Sequence, residues 1–135
     1  MTLALTCLAL TVYFEARDQS TLGQLAVAQV VMERVESDRF PDTVCDVVKQ
    51  GGDFRRYQCH FSWYCDGLSD SPTDERAWER AFLTASAALS GTRSADLAGV
   101  THYHGDYVSP VPYWASVSTV HLVTQIGDHI FYTET

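Results

Sequence analysis

The sequence predicts an α+β fold, helices first, with a small antiparallel sheet contributed mainly by the C-terminal third. Three observations carry this: two long apolar segments before residue 36, a third apolar stripe at helical spacing from Ala77 to Leu89, and two strand-like runs either side of Gly127-Asp128. At 135 residues the chain is expected to be one domain, 1–135, long enough to bury about two-thirds of its unfolded surface. No linker, repeat or low-complexity tract divides it.

From Leu3 to Val12 the chain is broken only by Ala, Thr and Cys7, and Phe14 continues the run, so this segment reads as a helix apolar on nearly every face. Such a helix belongs inside the fold. Its first charged side chain is Glu15. If the helix ends near Glu15 to Arg17, burial and the negative end of the helix dipole both raise the carboxyl pKa. A carboxyl kept protonated at the edge of an apolar core suits a general acid for glycosidic-bond cleavage, for which the useful pKa is roughly 6 to 7. The plainer alternative is a helix-terminal Glu paired with Arg17.

Asp18-Gln19-Ser20 breaks the chain, and Thr21 with Gln24 three residues on fits a capping box with Thr21 as N-cap. The helix runs through Leu25 to Val35, and Glu33, Arg34 and Glu36 bring its end to solvent. Pro41 and Asp42 open a short helix with Val44, Val47 and Val48 on one face, stopped by Gly51-Gly52. From Asp53 to Asp70 the pattern is irregular and rich in aromatics, including Phe54, Tyr57, His60, Phe61, Trp63 and Tyr64, and reads as loop with a short strand. That composition suits either sugar stacking or a satellite apolar cluster.

Ser71-Pro72 marks the next helix start, with Ser71 as N-cap and Pro72 at the first helical position. Ala77, Trp78, Ala81, Phe82, Ala85, Ala88 and Leu89 follow as a core stripe, and Gly91 ends the helix. Val100 to His104 reads as a strand with His102 and His104 on one face and Tyr103 on the other. Pro110 and Pro112 bracket an extended loop leading to Tyr113 and Trp114. Val120 to Ile126, Gly127-Asp128 and His129 to Tyr132 form a β-hairpin.

Composition excludes some functions. Nine basic and 17 acidic residues leave a net charge of −8. No basic cluster exceeds Arg55-Arg56, which argues against nucleic acid. The same charge argues against strong attraction to an anionic cell surface. The apolar start lacks a basic n-region and a small-residue cleavage site, and at about a dozen residues it is shorter than the roughly 20 that span a bilayer. Synthesis in the cytoplasm without classical export, and no stable membrane insertion, are therefore expected.

Cys7, in the apolar helix, reads as an inert core residue. Cys45, Cys59 and Cys65 leave any of three pairings open, with one thiol over. Their spacing fits no paired zinc motif, and His102-x-His104 finds no third ligand at an obvious spacing. His121, His129 and Asp106 are the only candidates for one, so neither metal nor other cofactor is expected.

The segments together resemble the SleB-like cell wall hydrolase family of spore-cortex-lytic enzymes and their standalone bacterial and phage relatives. The resemblance spans about Leu10 to Tyr132. It rests on Tyr13-Phe14-Glu15-Ala16-Arg17, the stretches Gly23 to Val31 and Arg34-Val35, Phe40 to Val48, Cys59-His60-Phe61-Ser62-Trp63, Thr101-His102-Tyr103-His104, Pro112-Tyr113-Trp114, and Ile126 to Tyr132. Their order and spacing are more specific than any one of them.

The resemblance implies a lysozyme-like fold with Glu15 as catalytic acid. It also implies cleavage of peptidoglycan glycan strands between N-acetylmuramic acid and N-acetylglucosamine, commonly as a lytic transglycosylase leaving a 1,6-anhydro product. Ser62, His102, Tyr103, Trp114, His129 and Tyr132 are the candidates for shaping the substrate cleft, or for packing. A hydrolase would need a second carboxylate, for which Asp18, Asp53 and Asp66 are unmarked candidates. Asp18-Gln19-Ser20 replaces a frequent Gly-Glu-Pro, and Glu33 a frequent Asn. A phage endolysin released to the wall by a separate pore protein fits this pattern. The rivals are a metal-dependent amidase using His102 and His104, and an inactive wall-binding module.

Overall fold

The computed structural model describes residues 2–50, 59–64, 66 and 68–135. Among these, four α-helices precede a three-stranded sheet: α1 (Leu3–Ala16), α2 (Thr21–Val35), α3 (Val44–Lys49), α4 (Glu75–Leu89), β1 (Val100–Gly105), β2 (Val120–Ile126) and β3 (His129–Glu134). No described helix is long and apolar enough to cross a membrane.

Helix α1 is the buried axis expected of its composition. Leu8, Ala9, Val12 and Ala16 are fully enclosed, and α4, α2 and α3 all pack against it. Its polar groups are satisfied internally, as burial requires. Thr11 Oγ1 donates to the Cys7 carbonyl (2.9 Å) and accepts from the Trp63 indole (3.3 Å). The Tyr13 hydroxyl accepts from the Thr73 and Asp74 amides (both 3.1 Å), just ahead of α4.

Several caps lie elsewhere than the sequence suggested. Ser20, not Thr21, caps α2 by accepting from the Gly23 amide (3.1 Å). Gln24, freed from that role, is buried: its Nε2 donates to the carbonyls of Ala16 (3.2 Å) and Arg17 (3.4 Å), and its Oε1 accepts from Thr84 (3.1 Å). It thereby satisfies carbonyls at the end of α1, where Glu15 sits. Thr43 caps α3, which starts at Val44 and not at Pro41-Asp42. Asp74 caps α4, three residues beyond Ser71, so Pro72 precedes the helix. Clustered Ser, Thr and Asp offer rival caps, and the choice among them follows where the helix docks.

The core stripe of α4 also shifts. Ala77, Ala81, Thr84, Ala85 and Ala88 are the buried residues, with Trp78 and Phe82 half-buried at its flank. Small residues face α1 because they let the two backbones approach closely. Between α3 and α4 the described residues form a single 3-10 turn, Ser62–Tyr64, where a short strand was expected. Gly51-Gly52, Asp53, Phe54, Tyr57 and Cys65 lie outside the described residues.

The cysteines pair otherwise than anticipated. Cys7 is not inert; it is bonded to Cys45, with the Cα atoms 5.4 Å apart, because α3 docks beside the start of α1. Cys59 is also disulfide-bonded.

The sheet has strand order β1-β3-β2, antiparallel throughout. Gly127 holds a φ of +56° in the hairpin turn, a backbone conformation that favours glycine. A register shift between Val100 and His102 sets Tyr103 opposite Phe131, and Gly105 opposite His129. Tyr103, Phe131 and His129 then cluster on one face, with Tyr103 5.7 Å from Phe131 and 5.0 Å from His129 between ring centres. On the other face His104, Tyr132 and Trp114 pack together.

Candidate active site

Glu15 is in the last turn of α1, where the helix leaves the core and meets β1. The Tyr103 hydroxyl donates to its Oε1 at 2.5 Å. Arg17 is not its partner: the guanidinium lies 4.0 Å from the centre of the Tyr13 ring. Glu15 is half-buried. Desolvation raises its pKa, the Tyr103 hydrogen bond pulls the other way, and the Asp66 carboxylate adds to the rise. The Tyr103 phenol is held well above its ordinary pKa by burial and by Glu15, so it remains a donor.

The pair opens into a cleft of about 390 Å³ whose walls include Phe14, Arg34, His60, Ser62, Gly105, Tyr107 and His129. A second cleft of about 340 Å³ is lined by Arg34, Cys59, His60, His102, Tyr103 and Trp114. Arg34, His60 and Tyr103 belong to both, so the two are adjoining parts of one depression with the Glu15–Tyr103 pair on one side.

Of the residues singled out in the sequence, Glu15, Ser62, Tyr103 and His129 meet in the first cleft, and His102 and Trp114 line the second with Tyr103. Tyr132 lines neither of these walls; it is 6% exposed, and its hydroxyl meets His104 Nε2 at 2.7 Å. His104 Nδ1 is likewise engaged, 2.8 Å from the Gly105 carbonyl. With both ring nitrogens occupied, His104 is a brace for the sheet. His129 is 6% exposed, and its Nδ1 has no hydrogen-bond partner among the described residues. Burial lowers the pKa values of His60, His102 and His129, favouring the uncharged form of these three imidazoles.

Arg34 does not reach solvent with the end of α2, as the sequence suggests, but is 7% exposed. Its Nε donates to the Thr101 carbonyl (2.7 Å), its Nη1 lies 3.3 Å from His60 Nδ1, and its guanidinium faces the rings of Phe40 and Phe61. Burial lowers its pKa to about 10. The signal was present: Arg34 follows Val27, Val30 and Val31 at helical spacing on the buried face of α2. Its charge obscured the pattern. Tyr107, on the turn after β1, was also missed, and no sequence periodicity marks it.

A carboxyl whose proton affinity is raised by desolvation, with a phenol positioned to stabilise its ionised form, can donate and then recover a proton within one turnover.

The sequence matches the family model described as Cell Wall Hydrolase over residues 18–132. A spore cortex-lytic enzyme of Halalkalibacterium halodurans is 33% identical over 125 residues, covering 92% of this chain and 33% of that protein. The chain thus spans about one-third of that relative's length. Among solved structures, the catalytic domain of the germination-specific lytic transglycosylase SleB from Bacillus anthracis superposes with a TM-score of 0.69 at 29% identity, covering 95% of this chain and 92% of that one. The catalytic domain of the Bacillus cereus SleB protein gives 0.65 at 27% identity, covering 95% and 88%. The helices-then-sheet arrangement is the lysozyme-like α+β fold of these domains.

Proposed function

This chain belongs to the cell wall hydrolase family, and on that premise we propose that it cleaves the peptidoglycan glycan strand between N-acetylmuramic acid and N-acetylglucosamine as a lytic transglycosylase, with Glu15 as general acid and base. The observation that carries the reading is the Glu15 carboxyl, raised in pKa and held by Tyr103 at an open cleft. Similarity to the Bacillus anthracis lytic transglycosylase domain supports the reaction class.

In this mechanism Glu15 gives its proton to the glycosidic oxygen as the bond to the anomeric carbon breaks. The Tyr103 hydroxyl stabilises the carboxylate that forms. The carboxylate then takes the proton of the muramyl C6 hydroxyl as that oxygen attacks the anomeric carbon, closing the 1,6-anhydro ring and restoring the acid. One carboxyl group suffices.

Hydrolysis is the second reading, and Asp66 favours it. Its charge acts on Glu15, which makes it the described carboxylate to test as the activator of a water. The amidase reading is weakened because both nitrogens of His104 are already bound within the sheet.

The disulfides at Cys7–Cys45 and Cys59 suit work outside a reducing cytoplasm, as a wall substrate requires. For the endolysin role with a separate pore protein, expression without any pore is the test, and lysis of those cells would count against it.

Mass spectrometry of purified peptidoglycan digested by wild type and by Glu15→Gln tests the function itself. Anhydro-muropeptides from the wild type alone are expected. Reducing-end products would indicate hydrolysis, and intact strands with released peptides an amidase. Intact strands and peptides in both digests would leave the inactive module.

A further inference from the structure

We propose that Tyr107 is a stacking platform for a sugar ring of the glycan strand at the rim of the Glu15 cleft. The proposal rests on the glycan-cleaving reading above and adds to it a substrate-binding residue.

Tyr107 is 79% exposed, among the most exposed large side chains described, yet the turn that carries it is pinned. The Val108 amide donates to the Gly105 carbonyl (3.2 Å), closing a four-residue turn with Tyr107 at its third position. The Asp106 amide donates to the Asp128 carbonyl (2.7 Å), and Asp106 Oδ2 accepts from Gln125 (3.1 Å), tying the turn to the β2–β3 hairpin. The ring folds back over Gly105, where a Cβ would overlap its Cε1 and Cζ atoms. A glycine at the end of β1 is what lets the ring lie there.

An aromatic ring carried on a pinned turn with most of its surface in water, on a cleft wall shared with Glu15, is ready to bury a flat apolar partner. A pyranose has such a face, formed by its axial C–H groups.

The test compares Tyr107→Ala with Tyr107→Phe and Tyr107→Trp, using soluble peptidoglycan glycan strands. Both cleavage kinetics and, in a Glu15→Gln background that cannot turn over, Kd by calorimetry are measured. Loss of the ring should raise KM and Kd roughly tenfold or more while kcat changes less than threefold. Phe and Trp, which keep the face, should restore most of the lost binding. Gly105→Ala displaces the ring without removing it and should weaken Kd in the same direction, provided its circular dichroism and melting match wild type.

If the wild type cleaves strands and Tyr107→Ala binds them equally well, the platform is wrong and the function stands. A Tyr107→Phe defect as large as that of Tyr107→Ala would also overturn it, by assigning the contact to the hydroxyl. If the wild type neither cleaves nor binds strands, the functional reading fails, and the platform with it.

Discussion

Replacing Tyr103 with Phe isolates one hydrogen bond at the centre of the site. The phenol donates to Glu15 Oε1 at 2.5 Å and opposes the desolvation that raises the carboxyl pKa. A bond from a neutral donor to a charged acceptor contributes about 1.5–3 kcal/mol, and one pKa unit corresponds to about 1.4 kcal/mol. Removing the donor disfavours the ionised carboxyl, so the Glu15 pKa should rise further. Phe keeps the ring contacts with Phe61, Phe131 and His129, so the fold should be retained. If the protonated carboxyl is the active form, kcat/KM for peptidoglycan clearance falls as pH rises through its pKa. In Tyr103→Phe that alkaline limb should move to higher pH. The plateau should fall about tenfold, because the carboxylate formed during proton transfer has lost its donor. A limb that stays in place, or moves toward acid, would refute the role given to Tyr103.

The Asp66 charge raises the Glu15 pKa, so Asp66→Asn should move the same limb toward acid; loss of all activity would instead mark Asp66 as the second carboxylate of a hydrolase. Glu15 is raised in the folded state and ordinary, near 4.3, in the unfolded chain. As pH climbs above about 4 the unfolded chain therefore ionises first, and wild-type stability falls until the folded pKa is passed. Glu15→Gln lacks this titration, so its urea midpoint should gain on wild type between acid and neutral pH; a Gln midpoint that loses ground to wild type as pH rises would contradict the burial argument. Changing both Cys7 and Cys45 to Ala opens a loop with a sequence separation of 38. Thermal melts should show a loss approaching about 4 kcal/mol, and an unchanged midpoint would mean that the bond does not restrain the unfolded chain.

Much of the architecture is legible locally. Helical and two-residue periodicities are properties of adjacent residues, so α1, α2, α4 and the hairpin around Gly127 follow from the order of apolar side chains. The position of Glu15 follows too, since a first charge at the end of an all-apolar helix must emerge at the edge of the core. Where several polar residues compete, as at Ser20-Thr21 or Ser71 to Asp74, the local pattern offers the cap but does not choose it.

Tertiary packing decided what surrounds that carboxyl. Tyr103 is 88 positions from Glu15 and reaches it only because the shift between Val100 and His102 sets the register of β1 on β3. Arg34 is buried because β1 and the Phe61 segment cover the end of α2, and Cys7 meets Cys45 because α3 docks at the start of α1. Tyr132 supports His104 from the opposite face of the sheet because strand alternation turns it away from its neighbour Phe131. By itself the sequence determined which segments are helix or strand and where a buried carboxyl would surface. Its partners arise from contacts between distant segments, which no local periodicity encodes.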